Sequence, residues 1–365
     1  MIPVYEPSLG EEEVENVLRA VKSGWISSKG KYIPEFEDAF SQYCNVAQGI
    51  ACSNGTTALH LALTALGIHK GDEVLVPTLT FVSTANVVLF TGATPVFVDA
   101  DPTYWCIDPQ KIEDAISKRT KAIIPVHLYG NPCDMRAIMK IAHDHGLYVV
   151  EDAAESHGAL CHDKMTGSFG DISCFSFYGN KIITTGEGGM CLTNNEQLAD
   201  AMRRLRDHGM DPNKKYWHDR LGFNYRMTNL QAAIGVAQVK KLKGLIEKKR
   251  QIATWYRTEL EDLARKNLIT RHPETFWAKN VYWMYSLLLK ERFPLPRDEI
   301  ITKLKIEGIE TRPFFYPIHT FPWYNKGETF PIAESLSRAG INLPSSANLR
   351  KKDVQTIADK LRSLV

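Results

Sequence analysis

A lysine with apolar and aromatic neighbours is the most unusual reactive group in this sequence. Lys181 follows the run Phe175-Ser-Phe-Tyr-Gly-Asn and precedes Ile-Ile-Thr-Thr, with glycines on either side. A lysine removed from water has a lowered pKa, and its neutral amine can attack a carbonyl carbon to form a Schiff base. The alternative is that Lys181 is a solvated surface group, as most lysines are. The flanking sequence is typical of a buried segment, so Lys181 is a candidate nucleophile.

Two carboxylates follow directly after an apolar run. The run Leu147-Tyr-Val-Val leads into Glu151 and Asp152. Ligands of open parallel sheets lie at the carboxyl ends of strands, and a carboxylate buried there needs a cationic partner. The alternative is that Asp152 only caps the turn that follows the strand.

A glycine turn with hydroxyl side chains precedes an apolar helix. The sequence Ser53-Asn-Gly55-Thr56-Thr57 leads into Ala-Leu-His-Leu. Free backbone N–H groups and the positive end of the helix dipole favour a phosphate at such a position. The Walker lysine and the dinucleotide glycine pattern are both missing, so a single phosphate monoester fits best. An ordinary helix cap is the alternative.

The three features together indicate one cofactor. Pyridoxal phosphate requires a phosphate site, a carboxylate that keeps its pyridine nitrogen protonated and a lysine that forms a Schiff base. Phe81 follows the strand predicted around residues 74–77 and could lie flat on the pyridine ring, with core packing as the alternative.

The elements that must position these groups alternate between strands and helices. A capping box at Ser8–Glu11 predicts a helix that ends near Gly24. Strands are predicted at residues 73–76, 95–98, 122–126, 147–150, 173–177 and 190–193, with helices at 56–66, 80–90, from 108 and at 134–146. This alternation predicts an α/β fold with a mostly parallel sheet between two layers of helices.

The C-terminal third has a different pattern. Helices are predicted at residues 228–244, 245–263, 297–307 and 351–364, with a strand at 282–289. We therefore expect a large α/β domain at residues 1–240 and a smaller α+β domain at 241–365, with the boundary inside a helix. The length of 365 residues agrees with two domains.

Composition and charge exclude several classes of protein. The chain has 44 Lys and Arg against 42 Asp and Glu, so its net charge of +2 predicts neither a nucleic-acid partner nor a membrane surface. We expect no signal peptide and no transmembrane helix. The seven cysteines form no C-x-x-C pair, so we predict buried reduced thiols and a cytoplasmic protein.

The histidines do not suggest a metal site. None of His127, His143, His145, His157 and His162 forms an H-E-x-x-H motif or another ligand spacing. We expect no metal ion.

Five segments together resemble a known family. The chain is similar to the sugar-nucleotide aminotransferases of the DegT/DnrJ/EryC1/StrS group, which belong to the fold-type I pyridoxal-phosphate enzymes. The resemblance lies in Trp25–Lys31, Asn54–Ala62, Glu151–Glu155, Phe175–Gly189 and Gly222–Met227. It implies the fold-type I architecture and a transamination that uses pyridoxal phosphate.

The resemblance also implies a role for each matching residue. Lys181 would bind the cofactor covalently, Asp152 would pair with its pyridine nitrogen, and Glu155 would approach its 3-hydroxyl, where many relatives have Gln. Ser176 and the Gly55–Thr57 turn would bind the phosphate. Asn224 would reach the phosphate of the neighbouring subunit, which implies a homodimer with shared active sites.

The resemblance suggests the substrates too. L-glutamate would donate the amino group and leave as 2-oxoglutarate, and Trp25–Lys31 and His208–Asn213 look most like the branch that aminates C4 of GDP-4-keto-6-deoxy-D-mannose. A UDP- or dTDP-linked 4-keto-6-deoxyglucose is the alternative acceptor. A sugar dehydratase that uses the same cofactor and a non-catalytic regulatory protein on the same fold are further alternatives. Candidate substrate contacts are Lys29, Lys31 and Arg226 for the diphosphate, and Tyr316 and His319 for the base.

Overall fold

A seven-stranded sheet forms the centre of the computed structural model, which describes residues 1–365. Across the sheet its strands are, in order, β1 (Gln48–Cys52), β9 (Gly189–Thr193), β8 (Ile172–Ser176), β5 (Tyr148–Asp152), β4 (Thr120–Ile123), β2 (Glu73–Pro77) and β3 (Thr94–Val98). The pairs from β8 through β5, β4 and β2 to β3 are parallel, whereas β9 is antiparallel to both β8 and β1. The predicted α/β fold with a mostly parallel sheet is confirmed.

The strands of the structure are short. They are β1 (Gln48–Cys52), β2 (Glu73–Pro77), β3 (Thr94–Val98), β4 (Thr120–Ile123), β5 (Tyr148–Asp152), β6 (Leu160–Cys161), β7 (Lys164–Met165), β8 (Ile172–Ser176), β9 (Gly189–Thr193), β10 (Ile269–Arg271), β11 (Ala278–Lys279), β12 (Tyr285–Leu289), β13 (Arg312–Pro313) and β14 (Gly340–Leu343). Strands β2, β8 and β9 are buried along their whole length, as expected for a sheet covered on both faces.

Twelve α-helices surround the sheets. They are α1 (Glu11–Ser23), α2 (Tyr32–Tyr43), α3 (Gly55–Ala65), α4 (Ser83–Phe90), α5 (Pro109–Ala115), α6 (Met135–His145), α7 (Glu196–Leu205), α8 (Asn229–Glu259), α9 (Glu261–Arg265), α10 (Arg297–Ile306), α11 (Pro331–Ala339) and α12 (Lys351–Arg362). None of them combines the length and the apolar character that crossing a membrane requires.

The candidate site lies at the carboxyl ends of the strands of the central sheet. Because β1 and β8 are both antiparallel to β9, they run in the same direction as β5 and β2. The carboxyl ends of β1, β5 and β8 therefore meet at one edge. The turn before α3, the carboxylate of Asp152 and the side chain of Ser176 lie at these three ends.

A second sheet lies in the C-terminal part of the chain. Its strand order is β10-β12-β14-β13, and its apolar side chains pack with those of α8, α10 and α12 in a core formed by residues from Ile252 onward. The domain boundary predicted at residue 240 falls inside α8, and the division at that point stays a prediction.

Three details of the predicted elements are wrong. Helix α1 is capped at Gly10, whose N–H donates to the Glu13 carboxylate at 2.8 Å, and not at Ser8. The two helices predicted at 228–263 are mainly one, because α8 continues through Gly244, whose cost of about 1 kcal/mol does not end a well-packed helix. Strand β4 ends at Ile123, shortly before Pro125, which has no N–H to donate to a ladder.

Candidate active site

Lys181 lies in the loop between β8 and β9 and is buried. Its Nζ is 3.7 Å from Oε1 of Glu155 and 3.9 Å from the ring centroid of Trp283. The hydroxyl of Tyr5 donates to its backbone carbonyl. Burial lowers the pKa of Lys181, and the carboxylates of Glu155 and Asp152 oppose that shift. A lysine amine in this environment is a nucleophile that loses its proton more readily than a surface lysine.

Asp152 is a buried carboxylate at the end of β5. Its Oδ2 accepts a hydrogen bond of 2.8 Å from the Thr84 hydroxyl, and its Oδ1 accepts one of 3.2 Å from the backbone N–H of Ala154. It forms no salt bridge, and burial raises its pKa. A buried carboxylate whose neighbours are neutral donors has room for a cationic partner, which a protonated pyridine nitrogen would supply.

Glu155 is held between the backbone and the lysine. Its Oε2 accepts a hydrogen bond of 2.7 Å from the backbone N–H of Tyr129, which leaves Oε1 on the side of Lys181. Burial raises its pKa to about 7, although Lys181 and the Tyr129 N–H both act in the opposite direction. Glu155 can therefore carry or release a proton near neutral pH.

The turn before α3 and the end of β8 form a narrow cup. Asn54 caps α3 by accepting a hydrogen bond of 2.9 Å from the N–H of Thr57, which leaves the first N–H groups of the helix free. A Cβ on Gly55 would lie only 2.8 Å from Cβ of Ser176. The Thr56 hydroxyl is 2.8 Å from that of Ser83. Free N–H groups, hydroxyls and the helix dipole together suit a phosphate.

The residues present fit pyridoxal phosphate. Because Gly55 has no side chain, the first turn of α3 can approach Ser176, and free backbone N–H groups lie beside a hydroxyl as a phosphate requires. Asp152 accepts hydrogen bonds only from neutral donors, which leaves its charge available to a pyridinium. Lys181 is a buried amine at the same end of the strands. When bound, this cofactor supplies an electron sink for negative charge that develops on a substrate carbon.

Two predicted aromatic contacts lie at the protein surface. Phe81 is 55% exposed and packs against Phe315 with 5.8 Å between ring centroids. Tyr316 is also 55% exposed. Both side chains are free to contact a ligand. For Phe81, this exposure argues against core packing, which is the alternative to a cofactor contact.

His319 does not have the predicted role. It is only 4% exposed, its Nδ1 is 2.7 Å from the Thr78 hydroxyl and its Nε2 is 3.3 Å from the Glu334 carboxylate. Because both ring nitrogens have protein partners, the prediction that His319 contacts a nucleotide base is wrong. The histidine instead ties the end of β2 to α11.

The cationic candidates and Asn224 are accessible. Lys29 and Lys31 are exposed, and Lys31 forms only a 3.9 Å contact with Glu35. Arg226 is half-buried, pairs with Asp207 at 2.8 Å and donates to Oδ1 of Asn224 at 3.1 Å. Asn224 itself is exposed, so nothing in its own subunit prevents it from contacting another copy of the chain.

One group of possible metal ligands exists elsewhere in the fold. Ligand atoms of Asp134, Cys161 and His162 lie within 4.8 Å of one another, a proximity that sequence spacing could not show. Cys161 is buried, and Asp134 and His162 are partly exposed, so the group supplies three ligand atoms where a closed structural zinc site uses four.

Four residues around the lysine were missed in the sequence. Thr84, Tyr129 and Trp283 contact Asp152, Glu155 and Lys181 respectively, and Tyr5 contacts the lysine backbone. Thr84 lies in the first turn of α4, where a hydroxyl is common and does not by itself indicate a contact with Asp152. Tyr5 and Trp283 are more than 100 residues from Lys181 in sequence, so no local pattern could have identified them.

Comparison with known proteins decides the family. Residues 7–362 match the model of the DegT/DnrJ/EryC1/StrS aminotransferase family. The chain belongs to this family. It is 49% identical to the GDP-perosamine synthase of Caulobacter vibrioides, with 98% of this chain and 96% of that protein covered. It is 47% identical to the GDP-perosamine synthase of Escherichia coli O157:H7, with 99% and 97% covered.

A solved structure superimposes on nearly the whole chain. DesV of S. venezuelae, in complex with a ketimine intermediate, has a TM-score of 0.90 and 33% identity, with 96% of this chain and 94% of that chain covered. The predicted resemblance is confirmed, and the protein is a pyridoxal-phosphate-dependent aminotransferase.

Proposed function

We propose that this aminotransferase moves the amino group of L-glutamate to C4 of GDP-4-keto-6-deoxy-D-mannose, giving GDP-perosamine and 2-oxoglutarate. The observation that carries the proposal is the 49% identity, over 98% of the chain, to a relative named GDP-perosamine synthase. The buried lysine, the carboxylate at the end of β5 and the phosphate cup support the transamination itself.

Lys181 is the residue that moves protons in this proposal. Its Nζ would hold the cofactor covalently, and a substrate amine would take its place. The freed lysine amine would then move a proton between the amino-bearing substrate carbon and the cofactor carbon joined to it through nitrogen, as a general acid and base. Burial favours this role because it lowers the pKa of Lys181 toward the working pH.

The two carboxylates have separate roles. Asp152 would accept the N–H of the pyridine ring and keep that nitrogen protonated, and Thr84 fixes the direction of its Oδ2. Glu155 would approach the ring hydroxyl, and the hydrogen bond from the Tyr129 N–H fixes its carboxylate. Because the pKa of Glu155 is about 7, it can donate or accept a hydrogen bond at that position.

The cup at the start of α3 would bind the phosphate through the backbone of Gly55–Thr57 and the hydroxyl of Ser176. We further propose a homodimer in which Asn224 of each subunit contacts the phosphate bound by the other. The exposure of Asn224 supports this proposal.

The diphosphate of the acceptor would be bound by cations outside the buried site. Lys29, Lys31 and Arg226 are accessible and offer charge-assisted hydrogen bonds. Tyr316 is an exposed ring on which the base would stack. Phe81, which packs against Phe315 and is also exposed, would lie flat on the pyridine ring of the cofactor. All seven cysteines are unpaired and buried, which supports a reducing cytoplasm as the place of action.

A panel of acceptors tests the proposal. The purified enzyme is given L-glutamate with the 4-keto-6-deoxy sugars linked to GDP, dTDP or UDP, and aminated product is measured by mass spectrometry. The expected result is the highest kcat/KM with the GDP-linked mannose derivative. A clear preference for a dTDP- or UDP-linked glucose derivative would replace the proposed acceptor and leave the transamination intact. Release of ammonia without consumption of glutamate would instead indicate a dehydratase.

A further inference from the structure

The indole ring of Trp283 lies against the reactive amine of Lys181. Its ring centroid is 3.9 Å from Nζ of Lys181, and the indole is buried. A cation above the face of an indole is attracted by the ring quadrupole, and the attraction increases when water is excluded. Trp283 comes from the segment before β12, so the C-terminal part of the chain supplies it to a lysine of the central sheet.

The position of the indole is fixed relative to the lysine. Its Nε1–H donates a hydrogen bond of 2.7 Å to the backbone carbonyl of Asn180, the residue directly before Lys181. Tyr129 stacks on the indole, with 6.3 Å between centroids and 18° between planes. The ring that faces Nζ is therefore anchored to the same loop that carries the lysine.

The amine faces the ring and one carboxylate oxygen. Oε1 of Glu155 is 3.7 Å from Nζ, and the Glu155 side chain is itself held by the Tyr129 N–H. The other ionisable groups around the lysine are Asp152, at the end of β5, and His157, in the turn that follows. Glu155 and Asp152 favour the ammonium form, whereas burial and a protonated His157 would oppose it.

We propose that Trp283 is a positioning residue for Lys181: its ring face holds the amino group whenever the lysine is not bonded to the cofactor, and it favours the protonated amine. The inference rests on the covalent role of Lys181 in the proposed function. Between the two half-reactions the freed amine must stay beside the reacting carbons. An indole fixed by hydrogen bonding and stacking restricts where that amine can move.

Competitive labelling of the cofactor-free protein tests this role without measuring activity. Lys181 is acetylated with trace acetic anhydride over a range of pH, and the peptide that contains it is quantified by mass spectrometry to obtain its pKa. The variants are Trp283→Leu, which removes the ring, and Trp283→Phe, which keeps a weaker one. Trp255→Leu is the matched control, because Lys248 lies over Trp255 at 4.8 Å at a different place.

Trp283→Leu is expected to lower the pKa of Lys181 by about one unit, since a desolvated cation–π contact no longer favours the charged amine. Trp283→Phe should lower it less, and Trp255→Leu should leave it unchanged. Circular dichroism and thermal unfolding check each fold. If the leucine variant does not fold, the comparison of Trp283→Phe with the wild type decides.

An unchanged Lys181 pKa in the Trp283 variants would overturn the proposal. So would a raised pKa, because the ring would then act only by excluding water. The covalent role of Lys181 is checked separately by borohydride reduction of the holoenzyme. An adduct on another lysine would refute that role even if the labelling showed the expected shift.

Discussion

Gly55→Ala is predicted to weaken cofactor binding through a single methyl group. A Cβ at this position would lie 2.8 Å from Cβ, 3.3 Å from Oγ and 3.4 Å from Cα of Ser176. Carbon atoms in contact are normally about 3.5–4.0 Å apart, so the start of α3 and the end of β8 must separate by roughly 0.7–1.2 Å. Neither neighbour is the flexible end of a long side chain, so the backbone must move.

The magnitude follows from what this movement disturbs. Inserting a methyl group into a packed site costs about 1–3 kcal/mol of stability. The same movement shifts the α3 N–H groups away from the Ser176 hydroxyl, so a phosphate cannot bond to both with good geometry. Loss of one hydrogen bond to a charged group costs about 1.5–3 kcal/mol, which corresponds to a roughly 10- to 150-fold weaker binding of pyridoxal phosphate.

The assay titrates cofactor-free protein with pyridoxal phosphate and follows the visible absorbance of the bound form. Gly244→Ala is the matched control, since nothing lies within 4 Å of the added Cβ. It should bind the cofactor normally and gain about 0.5–1 kcal/mol of stability, because alanine replaces glycine inside α8. Wild-type cofactor affinity in a folded Gly55→Ala protein would refute the placement of the phosphate.

Three further predictions concern the lysine, the dimer and the nearby carboxylate. Borohydride should fix the cofactor on the peptide that contains Lys181, and Lys181→Ala should lose turnover while still binding the aminated cofactor; an adduct elsewhere would contradict this. Mixed Lys181→Ala and Asn224→Ala chains should regain activity in hybrid dimers, and failure with verified subunit exchange would argue against shared sites. The raised pKa of Glu155, about 7, means that the folded state binds a proton the unfolded state has released, so stability falls as pH rises from about 4.5 through 7. Glu155→Gln should abolish as much as about 3 kcal/mol of this pH-dependent loss of unfolding free energy in the cofactor-free protein, measured by urea unfolding between pH 4.5 and 8. An unchanged pH dependence would show that Glu155 is not the titrating group.

The parts of the site that are local in sequence could be predicted from it. The cup at Gly55–Thr57 shows as a glycine and hydroxyls before an apolar helix, and Asp152 shows as an acid at the end of an apolar strand. Lys181 shows as a charge within an apolar run. Each signal arises because backbone geometry and burial act over a few residues, so neighbouring residue types are enough to reveal it.

The parts that depend on distant contacts could not be predicted. His319 follows an aromatic run that is typical of a binding loop, yet its ring is hydrogen-bonded to Thr78 and Glu334. Both partners lie outside the run, and Thr78 belongs to a distant part of the sequence, so no local pattern could show these contacts. Trp283 shows no pattern that would connect it with Lys181. The sequence predicts two helices that meet at Gly244, and a glycine does weaken a helix locally. In the structure, packing of α8 against α1 and α2 outweighs that cost, so the helix is continuous.

The candidate site has a buried part and an exposed part, and under the proposed function the first determines the reaction and the second the preferred substrate. Lys181, Asp152 and Glu155 are buried, and a hydroxyl and a backbone N–H fix the two carboxylates. Under the proposed function, a substitution at any of the three changes the proton transfers themselves. Lys29 and Tyr316 are exposed, and nothing in the core depends on them. Under the proposed function, substitutions at these surface residues change the preferred nucleotide and leave the pKa of Lys181 unchanged. The buried groups therefore define the transamination, whereas the exposed residues select the acceptor.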